Sequence, residues 1–150
     1  LPRIGRVLAA RGFAVVATQN PREFVATSPV SEALLDRLEW IPLDYPTQSE
    51  EEKWVLERVP HADPSLIEEV VHKVRLSRSS SLYRRGGSVR AAIAVTEIAQ
   101  AWLDTGCARE TALQRAFHTA FANRVELEEG VTLAEALLDL KTEKKSPFQT

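Results

Sequence analysis

The stretch Asp63-Pro64-Ser65-Leu66-Ile67-Glu68-Glu69-Val70-Val71-His72-Lys73-Val74 decides the class of fold. Leu66, Ile67, Val70, Val71 and Val74 recur at i, i+1, i+4, i+5 and i+8, the stripe of a helix that turns one face to a core. Asp63 ahead of Pro64 is a helix-start signal. Moving outward, Ser49 and Glu52 have capping-box spacing and lead into Trp54, Val55, Leu56 and Val59. On the other side, Ser77 to Gly87 reads as a polar loop. A third helix is predicted from Ser88, with Val89, Ala92, Ile93, Thr96, Ala99 and Trp102 on one face, stopping around Gly106. A fourth runs from about Arg109 to Arg124 on Leu113, Ala116, Phe117, Ala120 and Phe121. Thr132 with Glu135 repeats the capping-box spacing and opens a last short helix through Leu137, Leu138 and Leu140.

Ahead of Pro46 the pattern changes. Gly12-Phe13-Ala14-Val15-Val16-Ala17-Thr18 is apolar on consecutive residues, as expected for a strand covered on both faces in a parallel sheet. It stops at Gln19-Asn20-Pro21, because Pro21 cannot donate to a ladder and holds Asn20 extended. Side chains just past the carboxyl end of such a strand meet ligands in α/β folds. Ser31 to Leu38 reads as a short helix with Arg37 near its C-terminal end, and Trp40-Ile41-Pro42-Leu43 as a brief strand, the sheet contribution ending at about Tyr45. The expected organisation is therefore residues 1–45 sheet-forming, 46–141 an all-helical bundle, and 142–150 a flexible tail, a mostly α chain. Two strands and one short helix bury too little to stand alone, so the first part needs neighbours.

Composition sets outer bounds. The chain has 150 residues, 44% apolar and 27% charged, with 6 Gly and 8 Pro, which excludes disorder and collagen and suits one compact domain or two small ones. The single Cys107 cannot form an intrachain disulfide, which fits a reducing, cytoplasmic setting. Met is absent and the sequence opens on Leu-Pro, as expected of an excised piece. Apolar runs such as Phe13–Ala17 fall far short of the ~20 residues that cross a bilayer. Net charge is −2, so no bulk field favours nucleic acid or anionic lipid. Locally, Val70 to Thr96 holds no Asp or Glu but contains Lys73, Arg75, Arg78, Arg84, Arg85 and Arg90. The acids gather at Glu50, Glu51 and Glu52 and around Glu126, Glu128 and Glu129, where each run reads as a solvated face.

Self-contained active-site motifs are missing: there is no G-x-x-x-x-G-K-[ST] loop, no His/Cys cluster of zinc spacing and no G-x-S-x-G elbow. His61, His72 and His118 lie in different elements and read as surface or half-buried histidines, so no metal site is expected. What remains is Asn20 at a strand end and two arginines near helix termini, Arg37 and Arg90. An amide can orient water or donate to an anion, and a guanidinium offers a fixed fork that does not titrate away. Arg90 falls in the first turn after Ser88, where backbone N–H groups and the helix dipole also favour an anion. Plain structural readings stay open for all three: a turn residue for Asn20, an ion pair with Asp36 or Glu32 for Arg37, an exposed helical arginine for Arg90.

Three blocks carry a resemblance: Ala17-Thr18-Gln19-Asn20-Pro21, then Thr27-Ser28-Pro29-Val30-Ser31-Glu32-Ala33-Leu34-Leu35-Asp36-Arg37-Leu38, then Leu43-Asp44-Tyr45-Pro46 before an acidic helix. Their order and spacing resemble the MoxR-type AAA+ ATPases, and Ser88-Val89-Arg90-Ala91-Ala92 resembles the start of that family's lid helix. The resemblance implies the C-terminal remnant of an α/β P-loop NTPase core, residues 1–45, followed by the helical lid, residues 46–141. By this resemblance Asn20 matches sensor 1, which positions the attacking water or touches the γ-phosphate. Arg37 matches the arginine finger that reaches the nucleotide of a neighbouring subunit, a contribution of roughly 10³ to 10⁵ in rate in other NTPases. Arg90 matches sensor 2, coupling the lid to nucleotide state in its own or an adjacent subunit.

The resemblance further implies ATP and Mg²⁺ as cofactors of the intact parent, a hexameric ring, a protein client and a von Willebrand factor A-type partner. The phosphate loop and Mg²⁺-binding acids would lie before Leu1, so the chain by itself is expected neither to bind Mg·ATP well nor to hydrolyse it. Two rival readings accompany this one. A nucleotide-independent helical interaction module would use the basic window to dock an acidic protein; a DNA-binding domain would read with the Ser88 helix, against the net charge of −2.

Overall fold

A computed structural model describes residues 8–18 and 36–142, and the chain divides into two units, Leu1–Leu43 and Asp44–Thr150. The second unit holds all the regular structure among the described residues. Helix α1 spans Gln48–Arg58, α2 Pro64–Ser79, strand β1 Tyr83–Arg85, α3 Val89–Asp104, α4 Arg109–Phe121, strand β2 Glu126–Leu127 and α5 Leu133–Thr142. The chain is mostly α.

Local signals set most helix starts. The Asp63 side chain accepts from the N–H of Ser65 at 2.8 Å with Pro64 at the first helical position, so α2 begins where Asp-Pro predicts. Thr132 and Glu135 exchange their reciprocal bonds, with the Thr132 N–H donating to Glu135 Oε2 at 2.8 Å. The first box falls two residues ahead of the expected Ser49–Glu52 pair. Thr47 caps α1 and the Thr47 N–H donates to Glu50 Oε2 at 2.8 Å, while Glu52 accepts from Gln48 Nε2 instead. Both T-x-x-E and S-x-x-E occur here, and the earlier one starts the helix two residues sooner. Gly106, with φ of +82°, supplies the left-handed residue that closes α3 and donates its N–H to the Leu103 carbonyl at 2.8 Å.

The stripe that decides the fold is buried as expected: Leu66, Val70, Val71 and Val74 have no exposed surface. Each such side chain contributes roughly 1.5–3 kcal/mol relative to an exposed position. They pack with Val55 of α1, Val95 and Ala99 of α3, Phe117 and Phe121 of α4, and Ala136 and Leu140 of α5. Helix α3 turns Ala91, Ala92, Val95, Thr96 and Ala99 inward, a face rotated from the predicted one. Trp102 and Val89 fall to its margin, Trp102 38% exposed and Val89 half-buried. Helix α4 ends at Phe121, short of the expected Arg124.

Three expectations are corrected. The 77–87 segment is not all loop: α2 continues through Ser79, and Tyr83–Arg85 pairs antiparallel with Glu126–Leu127. Tertiary packing selects this pairing, because Tyr83 buries its ring edge-on against Phe121 at 6.2 Å and its hydroxyl donates to the Ala136 carbonyl at 2.9 Å. Burial, and then the Asp139 charge, hold the Tyr83 phenol above its ordinary value. The strands expected at Gly12–Thr18 and Trp40–Leu43 do not form among the described residues, and Val16 and Leu43 are 91% and 87% exposed. A strand needs a ladder partner, and these segments have none among the described residues. Of the expected Ser31–Leu38 helix, residues 36–38 form a turn and the rest lies outside the described residues, as do 143–150 of the expected tail; residue 142 belongs to α5.

Candidate functional site

Arg90 occupies the first turn of α3 and is exposed. The N–H groups of Ala91 and Ala92 return to the Ser88 carbonyl at 2.8 and 3.2 Å. Ser88 makes no capping bond with its side chain, and no acid lies in that first turn. A helix start with a guanidinium, an uncapped end and no carboxylate is electrostatically suited to an anion.

What holds that helix start in place is set from inside the bundle. The segment Gly86-Gly87-Ser88 presses onto α2: a Cβ on Gly86 would stand 2.5 Å from the Ser77 backbone carbon and oxygen and 2.6 Å from the Arg78 nitrogen. Only glycine permits that approach. Gly87 donates its N–H to Ser77 Oγ at 2.8 Å, and Ser77 Oγ donates in turn to the Val74 carbonyl at 2.6 Å. From the next position on α2, Arg78 Nε donates to the Gly87 carbonyl at 2.7 Å.

Arg78 also grips Glu51. Its Nη1 and Nη2 donate to Glu51 Oε1 and Oε2 at 2.6 and 3.0 Å, and Arg75 Nη1 donates to Oε1 at 2.9 Å. Glu51 is fully buried, which corrects the reading of the Glu50–Glu52 run as a solvated face. Its neighbour Glu50 does stay at the surface, where bonds from the Thr47 hydroxyl and N–H hold its carboxyl below the ordinary range. Glu51, Arg75, Arg78 and Gly86 carry no motif, so the sequence gives them no role. The one available signal is the acid-free window itself, which sets Arg75 and Arg78 at i and i+3 on a helix beside an acidic one.

Of the other residues singled out, Asn20 lies outside the described residues, and Arg37 sits in an exposed turn of the first unit. Arg37 and Arg90 thus belong to different units. His61 and His118 are exposed and His72 half-buried, and among the described residues no group of three or more His, Cys, Asp or Glu is placed to hold a metal ion. Cys107 is a free, half-buried thiol. A second charged cluster joins α2 to α4: Glu69 accepts from Lys73 at 2.8 Å and from Arg109 at 3.2 Å. Among the described residues no helix is long and apolar enough to cross a membrane.

The chain is similar to the gas vesicle ATPase GvpN of Ancylobacter aquaticus, with 30% identity over 87 residues, or 58% of this chain and 24% of that protein. This likeness supports an AAA+ ATPase relationship, and the mostly helical bundle is consistent with an AAA+ lid remnant. The chain spans about a quarter of the length of the relative it matches. No family model matches the chain, and no solved structure matches it significantly.

Proposed function

We propose that the chain is the C-terminal part of the ATPase module of a MoxR-type AAA+ protein. The likeness to the gas vesicle ATPase carries this reading. The exposed guanidinium of Arg90 in an uncapped, acid-free helix start supports it locally. On this reading residues 1–45 close the nucleotide-binding core and 46–141 form the lid. Asn20 orients the attacking water from its amide. Arg37 reaches the nucleotide of an adjacent subunit and stabilises charge on the transferring phosphoryl group, and Arg90 contacts the phosphates from the lid. The bound ATP·Mg²⁺ supplies the reacting phosphoryl group and the metal charge, and other parts of the parent protein hold the metal. ATP turnover in a hexameric ring then drives remodelling or maturation of a protein client, with a von Willebrand factor A-type partner.

The arginine finger gives the decisive test. In the full-length protein, Arg37→Ala subunits are expected to lose ATP hydrolysis alone, by roughly 10³-fold or more. They regain it when mixed with subunits that lack only the phosphate loop, because each supplies what the other is missing across an interface. Mixed rings that stay inactive refute a role in trans, and an Arg37→Ala protein that hydrolyses ATP at the parental rate refutes the finger altogether.

A further inference from the structure

Arg78 engages three groups outside its own helix. Its Nη atoms take both oxygens of Glu51 on α1, its Nε takes the Gly87 carbonyl just ahead of the Ser88 cap, and its guanidinium carbon lies 3.9 Å from the ring centre of Tyr45. Alongside it, Arg75 Nη1 donates to the Pro46 carbonyl at 2.8 Å as well as to Glu51. The lead-in segment Tyr45–Pro46 and the start of α3 are therefore joined through one planar group and its neighbour.

Planarity matters here. A guanidinium presents its donors in a fixed fork, so bonding Glu51 through the Nη edge and Gly87 through Nε fixes the angle between those partners. Lysine keeps the charge but not that angle. Glu51 is fully buried and Arg78 nearly so, with 11% of its side chain exposed, so salt slackens the linkage little. The Gly86 backbone has no slack against α2, which means the Gly87 carbonyl cannot shift without carrying Ser88 and the first turn of α3 with it. Tyr45, by contrast, is 55% exposed and can be changed without opening the core.

We propose that Arg78 is a positioning residue: it aligns the first turn of α3, and with it Arg90, to the Tyr45–Pro46 segment that leads into the bundle. The functional consequence rests on the reading of Arg90 as a phosphate contact, whereas the alignment itself does not. In the full-length protein, Arg90→Ala is expected to weaken binding of a fluorescent ATP analogue, and Arg78→Lys and Tyr45→Leu to weaken it by roughly fivefold or more. Tyr45→Phe, which keeps the ring face, retains parental binding. On an Arg90→Ala background the Arg78→Lys and Tyr45→Leu changes add nothing, since the group they align is gone.

Parental binding in both Arg78→Lys and Tyr45→Leu overturns the proposal, and so does a loss that simply adds to that of Arg90→Ala. Should Arg78→Lys fail to fold, Tyr45→Leu against Tyr45→Phe decides alone. If Arg90→Ala itself binds as the parent does, the phosphate reading of Arg90 falls, and amide hydrogen exchange over residues 89–92 judges the alignment separately. Faster exchange in Tyr45→Leu than in Tyr45→Phe sustains it; equal rates refute it.

Discussion

Replacing Glu51 by alanine probes the most heavily buried charge of the bundle. The carboxylate has no exposed surface and receives three charged bonds of 2.6 to 3.0 Å. Without it, the Arg78 and Arg75 side chains, 11% and 33% exposed, keep their charges but lose their counter-ion. Removing one partner of a buried pair costs about 3–5 kcal/mol, which measures the stranded charge and not the net worth of the pair. Arg75 is a third exposed and can rehydrate, so the lower end applies, about 3 kcal/mol for Glu51→Ala. At roughly 4–8 °C per kcal/mol in a domain of this size, the melting temperature falls by roughly 12–24 °C. Arg78→Ala is the harsher of the two reciprocal changes, since Arg78 also holds Gly87 and Tyr45, and each arginine change couples strongly with Glu51→Ala. Thermal and urea unfolding of the 150-residue chain, followed by far-UV circular dichroism at low and high salt, gives the numbers. A Glu51→Ala loss within about 0.5 kcal/mol, the range of ordinary surface changes, refutes the reasoning. So does a loss that vanishes in about 1 M salt, where exposed pairs are screened.

Two glycines are expected to respond for different reasons. Gly86→Ala drives a methyl into the Ser77–Arg78 backbone and costs about 3 kcal/mol or more, whereas Gly106→Ala meets open space but a φ of +82°, and costs about 1–2 kcal/mol. Equal losses in a urea titration contradict that distinction. For Glu69, partial burial raises the carboxyl, but bonds and charge from Lys73 and then Arg109 outweigh it, leaving the group below its ordinary value. A lowered carboxylate stabilises fully above its ordinary value of 4.5 and loses that contribution as pH falls through the lowered folded value. Glu69→Gln therefore flattens the acid limb of stability against pH below about 4.5, and an unchanged slope in that window rules the contribution out.

The helices from Gln48 onward were legible because their signals are local. The Leu66-to-Val74 stripe, Asp63-Pro64, the Thr132–Glu135 box and Gly106 each act within a few residues of themselves, so the residues that form an element also announce it. The place of Arg90 was legible for the same reason, as a charge within the first turn after Ser88. Reading failed where a residue's state depends on a distant partner. Glu51 looks like its neighbours Glu50 and Glu52, and nothing nearby shows that Arg75 and Arg78 come from the next helix to enclose it. Tyr83–Arg85 has no alternation long enough to mark a strand, and it pairs because Glu126–Leu127 returns beside it.

Gly12–Thr18 is the opposite case. Its apolar run is a sound strand signal, yet hydrogen bonds in a sheet are made between segments, and an apolar segment without a ladder partner stays irregular and exposed. Sequence alone thus determined where the helices from Gln48 onward lie, to within a turn at their ends, and that Arg90 stands in the first turn of one of them, because helical bonds close within four residues. Tertiary structure alone decided which charge is buried, which strands exist and what fixes the aim of α3, because those depend on groups that meet only once the chain has folded.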